Sequence, residues 1–244
     1  MSLARYAEIR KQAEAAGVDY LVSTVDWITA FLLRDLGRSE GAIKAIRCWG
    51  DYQAKASADS EALVVAEQAF IAGWVAVGSG QAAEAKARLS EIEPLLSRID
   101  PGNVVAMTFL FRLLRAEAAL AEGDADRAVA LGREIVPLDF PSMALPRLAR
   151  YNQPYVKDVL ARAYWKKGDL DAAVAEYRKL TTIDPSNQVR WMISPLYHYR
   201  LGRILEEKGD KAGAAVEYRK FLEYWKDADP THPELADARK RLGK

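Results

Sequence analysis

Residues Tyr155 to Asn187 read YVKDVLARAYWKKGDLDAAVAEYRKLTTIDPSN, and this stretch decides the fold. Leu160, Ala161 and Tyr164 keep the three-to-four-residue spacing of a buried helical stripe, and Ala173, Tyr177 and Leu180 resume it after a break. Between the two stripes, Lys167-Gly168-Asp169 has the chemistry of a turn. Gly168 can take the positive φ that closes one helix, and the Asp169 carboxylate can accept from the free amides that open the next. Asp184-Pro185 stops the second helix, because proline has no amide hydrogen to donate. The stretch predicts a helical hairpin with its own punctuation.

One such hairpin cannot bury its apolar face alone, so its neighbours should repeat it. Turn glycines recur at Gly37, Gly80, Gly123, Gly168 and Gly209, about 43 residues apart. Five residues after each stands an alanine, namely Ala42, Ala85, Ala128, Ala173 and Ala214. Seven residues before each stands Ala30, Gly73, Ala116, Ala161 or Gly202. Small residues on both facing helices permit close approach, whereas larger ones would force the axes beyond roughly 8–10 Å. A large apolar residue follows each glycine by twelve positions, at Trp49, Ile92, Ile135, Leu180 and Phe221. Four columns in one register define an array of about five hairpins.

The pattern of small residue, turn glycine, buried alanine, aromatic and closing proline, here Ala161, Gly168, Ala173, Tyr177 and Pro185, resembles the tetratricopeptide repeat. The common repeat is about 34 residues long, so this chain is similar to an extended variety. The aromatic often found early in the first helix is replaced by Asp26, Ala69, Arg112 and Lys157, with His198 in the fifth unit. Gly132 stands where a bulky residue is expected. The resemblance implies an all-α, α-α superhelix. Its expected plan is one domain, 1–244, with an N-terminal capping helix 1–17, repeats at about 18–58, 59–102, 103–153, 154–193 and 194–230, and a C-terminal capping helix 231–244.

Along the chain, helices are predicted at 3–16, 19–36, 39–56, 61–78, 81–98, 104–122 and 125–136, and again from 155 onward. Ser39 is the expected cap of its helix, Asp59-Ser60 opens another, and Pro94 should kink the helix it interrupts. Asp100-Pro101-Gly102-Asn103 reads as a plain break. Residues 137–154 carry four prolines, reading as a linker or a binding loop around a short helix between Ser142 and Tyr151. Ser194-Pro195 should start the fifth unit, Asp210 should cap its second helix, and Thr231 with Glu234 should form a capping box ahead of a last helix at 233–242.

Composition narrows the function. Thirty-five Lys and Arg balance 34 Asp and Glu for a net charge of +1, so there is no global basic footprint for nucleic acid. Cys48 is the sole cysteine, which leaves no disulfide framework or cysteine metal cluster, and it reads as a small buried apolar residue. The N-terminus is charged and amphipathic, without a signal-peptide core. The longest apolar run, Ala69 to Gly78, is shorter than a bilayer span. The expected location is cytoplasmic, with no membrane insertion, no metal and no cofactor. No phosphate loop, paired-histidine zinc spacing or nucleophile-base pair occurs, His198 and His232 lie far apart, and the pairs Glu206-Glu207 and Asp124/Asp126 read as a solvated face and a cap. The chain is therefore read as no enzyme.

The resemblance implies a scaffold or adaptor that holds a peptide or partner helix of another protein in a concave groove lined by first helices, and it leaves self-association open. The alternatives are a sensor or docking domain of a larger bacterial-type regulator and, from another class, an all-helical small-ligand protein or enzyme. Groove-facing positions of the family fall on Trp27, Phe31, Phe70 and Trp74 early in the chain, and on Asp158, Arg162, Trp165, Lys166, Tyr199, Arg203, Glu206 and Glu207 late. In one reading the four early aromatics anchor a partner while Arg162 and Arg203 hold its carboxylate. In the other, the aromatics pack against each other or the N-terminal helix and the arginines pair with Asp158 and Glu206.

Overall fold

The computed structural model describes residues 3–56, 61–135, 158–182, 193–228 and 230–243, and among them every regular element is a helix. The chain divides into two compact units, Met1–Glu122 and Gly123–Lys244. The division falls at the turn glycine of the third expected hairpin. The openings expected at Asp59-Ser60, the segment 137–154 with its helix at Ser142–Tyr151, and the Asp184-Pro185 stop lie outside the described residues.

The first unit contains α1 (Leu3–Ala15), α2 (Asp19–Asp35), α3 (Ser39–Ala56), α4 (Glu61–Gly78), α5 (Ala82–Ile92), a 3₁₀ turn at Glu93–Arg98 and α6 (Pro101–Ala121). Helix α1 lies on α2, α2 on α3, and α4 packs against α3, α5 and α6. The second unit contains α7 (Ala125–Arg133), α8 (Val159–Lys167), α9 (Leu170–Thr181), α10 (Pro195–Glu207), α11 (Lys211–Tyr224) and α12 (Pro233–Arg241). Each of these packs against the next in sequence.

The repeat columns read from the sequence are the structural ones. Gly37, Gly80, Gly123, Gly168 and Gly209 all have φ between +70° and +86°, the left-handed region that a side chain disfavours. Their column of alanines is buried, with Ala42, Ala85, Ala128 and Ala173 wholly enclosed and Ala214 nearly so. The small column closes the hairpins from the other side. A Cβ on Gly202 would lie 2.7 Å from the Tyr218 ring, and one on Gly73 would lie 3.1 Å from Arg88 Cβ across its own hairpin and 2.7 Å from a Leu114 methyl of α6. Gly132, a departure from the pattern, has a similar cause, since a Cβ there would meet Leu160 at 3.1 Å where α8 crosses α7.

Helix ends follow the free backbone amides. The carboxylates of Asp124, Asp169 and Asp210 accept from the amides of Arg127, Ala172 and Gly213 at 3.0, 3.1 and 2.8 Å. Pro94 ends α5 after Ile92, and the chain continues as the 3₁₀ turn. Several expected ends differ. Asp100-Pro101 opens α6: Asp100 accepts from Gly102 and Asn103 at 3.0 and 3.1 Å, and Pro101 occupies the first helical position, where its missing amide costs nothing. The Ser39 hydroxyl meets Ser79 Oγ at 2.6 Å instead of capping α3. Ser194 precedes Pro195 as expected, but its side chain makes no cap bond. At α12 the cap position is His232, and Glu234 pairs with its Nδ1 at 2.9 Å instead of closing a box with Thr231.

By length and composition α4 could cross a membrane. Its packing accounts for that composition: it packs against α3, α5 and α6, and eleven of its residues are buried. Cys48 is only half-buried on α3.

Candidate protein-interaction site

The four early aromatics fill the interior of the first unit, each no more than 3% exposed. Trp27 meets Phe31 at 5.3 Å and Trp49 at 4.9 Å, Phe31 meets Trp74 at 4.7 Å, and Phe70 stacks on Trp74 at 6.1 Å. The ladder joins α3, α2 and α4, and Arg34 covers its end, with its guanidinium 4.2 Å from the Trp74 ring centre. Enclosing an aromatic side chain removes 150–250 Å² from water, which is why these residues face one another. These four side chains are therefore core residues and not open anchors for a partner, which could reach them only by opening the unit.

The late positions stand differently. Asp158, at the start of α8, is buried. Its carboxylate takes Arg162 Nε at 3.0 Å, the Tyr177 hydroxyl at 2.9 Å and Arg200 of α10. Burial by itself pushes such a carboxyl up, but the two guanidiniums and the tyrosine hold it well below the usual carboxylate range. Arg162 is thus engaged in joining α8 to α9 and α10, as in the second reading of the sequence. Its expected twin is not. Arg203 lies over the Trp165 ring at 5.9 Å and donates to the Tyr199 hydroxyl at 3.3 Å. No carboxylate among the described residues lies within ion-pair distance of it, so the expected pairing with Glu206 does not form.

The carboxylates of this face are used elsewhere. Glu207 accepts from Trp165 Nε1 at 2.7 Å, linking α10 back to α8. Glu206 accepts from the Tyr218 hydroxyl at 2.9 Å and pairs with Arg241 of α12. Tyr199 donates to Asp237 of α12 at 2.8 Å, and Asp237 also takes Arg241 Nε at 2.6 Å. The pair expected as a solvated face is therefore a double tie between helices. What remains is a half-exposed strip, Trp165-Arg203-Tyr199, with Lys166 exposed beside it. It offers two aromatic surfaces and a guanidinium that makes no direct ion pair and reaches Asp237 only through the Tyr199 hydroxyl. Arg200, Asp237 and Arg241 were not singled out by the repeat pattern. Arg200 meets Asp158 across helices, while Asp237 and Arg241 form an i,i+4 pair within α12 and also reach Tyr199 and Glu206 of α10, contacts that spacing along one helix does not mark.

The histidines serve packing. His198 Nδ1 lies 2.6 Å from Glu217 and His232 rests on Trp225 at 4.4 Å. No group of three metal-ligating side chains occurs among the described residues.

Two family models, each described as tetratricopeptide repeat, match the chain, one over residues 157–187 and the other over 197–228. No curated protein matches it. The matched segments coincide with the hairpins α8/α9 and α10/α11, whose positive-φ glycines, enclosed alanines and Asp-capped second helices have just been described. Residues 157–187 and 197–228 are tetratricopeptide repeats.

Proposed function

We propose that the protein is an interaction scaffold that holds an acidic segment of another protein against α8 and α10. Tetratricopeptide repeats generally mediate protein–protein interaction and are typically non-enzymatic. The observation that carries the reading is Arg203. It projects from α10 between Trp165 and Tyr199, and no described carboxylate pairs with it. Arginine beside aromatic surface is the combination that most often dominates binding energy. A carboxylate brought to it would gain a charge-assisted contact, and the rings would shield that contact from water.

The test is affinity capture from the source organism's lysate on the intact immobilised chain, in parallel with Arg203→Ala. The mutation breaks no ion pair and removes one long hydrogen bond to Tyr199 and a contact with Trp165, so melting should fall only slightly while the captured protein's affinity falls about tenfold. Capture that is equally strong with Arg203→Ala would reject this face as the binding surface.

A further inference from the structure

The first unit carries a second recess, on a different side of α4 from the aromatic ladder. Helices α3 and α5 both pack on α4 and leave between them a trough of about 770 Å³. Its floor is the α4 stripe that runs from Val65 through Ala69, Ala72 and Ala76 to Ser79. Fourteen residues of helix rise about 21 Å, so the trough accommodates some four turns of a second helix. The floor is mostly alanine; Ala69 and Ala76 are buried between the flanking helices, Ala72 is half-buried, and Val65 at the end is 43% exposed. Small side chains along a stripe permit the axis of a further helix to come within roughly 8–10 Å.

The walls differ in charge. On the α5 side, Arg88 donates to Glu84 at 2.8 Å and to Glu91 at 2.7 Å, so that wall satisfies itself. On the α3 side, Lys44 and Arg47 are exposed one turn apart, and neither has an ion pair among the described residues. Glu40 lies one turn before Lys44 and is not within ion-pair distance of it. One turn from the Val65 end of the floor, the half-buried Gln68 side chain lies against Gly50 of α3, where a Cβ would meet its amide. The trough therefore combines an apolar floor with two cations on one rim that make no ion pair among the described residues.

We infer that this trough is a docking site for an amphipathic helix of a partner protein, with small residues on the inserted stripe and acidic residues along the edge that faces α3. Glutamate or aspartate at positions three or four apart would meet Lys44 and Arg47 together, because such residues share one helix face. The site is distinct from the Arg203 face and does not depend on it.

Panning a display library of helix-forming peptides on the intact chain tests this. Enriched peptides should combine an alanine- or serine-rich stripe with an acidic edge. Their affinity should fall about tenfold or more with Lys44→Glu plus Arg47→Glu, and likewise with Ala72→Trp, which fills the floor. Arg203→Ala should leave it unchanged. Lys44 and Arg47 are exposed, so their replacement reads binding even where Ala72→Trp disturbs packing. Enrichment of no helical peptide, enrichment of basic edges, or binding indifferent to the double change would overturn the inference. So would a chain that self-associates through this face and becomes monomeric with Lys44→Glu plus Arg47→Glu, because the occupant would then be a second copy.

Discussion

Asp158 is the residue on which the second unit most depends. Asp158→Asn keeps the shape but leaves Arg200 and Arg162 without their shared carboxylate. Breaking a buried ion pair costs about 3–5 kcal/mol, and the value here should lie near 3, because the two arginine side chains keep about a quarter of their surface in water (27% and 24%). The pH dependence follows from the sign of the shift. In the unfolded chain the carboxyl titrates near its ordinary value of about 3.9; in the native state it is held lower. Its stabilisation is therefore complete above about pH 4 to 5 and is lost as pH falls below that. Glu217, Glu234 and Asp237 are shifted in the same direction. Melting followed from pH 7 to pH 3 should show the gap between wild type and Asp158→Asn shrinking in acid, and a constant gap would contradict this assignment. Packing gives a second residue-level expectation. Ala173 is fully enclosed, so Ala173→Leu should overfill the α8/α9 contact and cost on the order of 1–3 kcal/mol by chemical denaturation.

At the scale of the element, the ends of the hairpins were the most legible feature, for a local reason. A turn glycine and an aspartate beside it act on amides within three residues, so sequence spacing alone specifies Gly168 and Asp169. Gly168→Ala should cost about 1–2 kcal/mol, the penalty for placing a Cβ at φ +86°. A neutral result in equilibrium unfolding would show that the turn can change its geometry. Where two local rules competed, the sequence was less clear. Asp100-Pro101 satisfies both a breaker and a helix-start rule, and the helix won because Asp100 caps two amides. Thr231 and Glu234 have the spacing of a capping box, yet the imidazole of His232 stands nearer the Glu234 carboxylate. Helix α12 is held by partners in other helices, through Leu235 and Ala238 in the core and Asp237 and Arg241 at the surface. Removing residues 230–244 should uncover the flank of α10 and α11, lower the melting temperature and promote aggregation. A truncated protein that stays monomeric and equally stable would show the cap to be dispensable.

For the molecule as a whole, helicity and the repeat register were readable because a period of about 43 residues in four columns is a long-range signal carried by composition alone. The site was readable only in part. The groove register fell on residues of the first helices, but it could not say which of them a neighbouring helix covers. Trp27, Phe31, Phe70 and Trp74 turned inward because they lie opposite one another on α2 and α4, with Trp49 of α3 behind them. Arg162 and Arg203 share a register position but differ in surroundings, because Asp158 begins α8 whereas Tyr199 stands four residues before Arg203. That difference leaves Arg203 for a partner. The most direct test is amide hydrogen exchange on the intact chain with and without its captured partner. Added protection is expected in peptides that cover Trp165 and residues 199–203, and it should disappear with Arg203→Ala. A bound partner that leaves exchange in α8 and α10 unchanged would contradict the account.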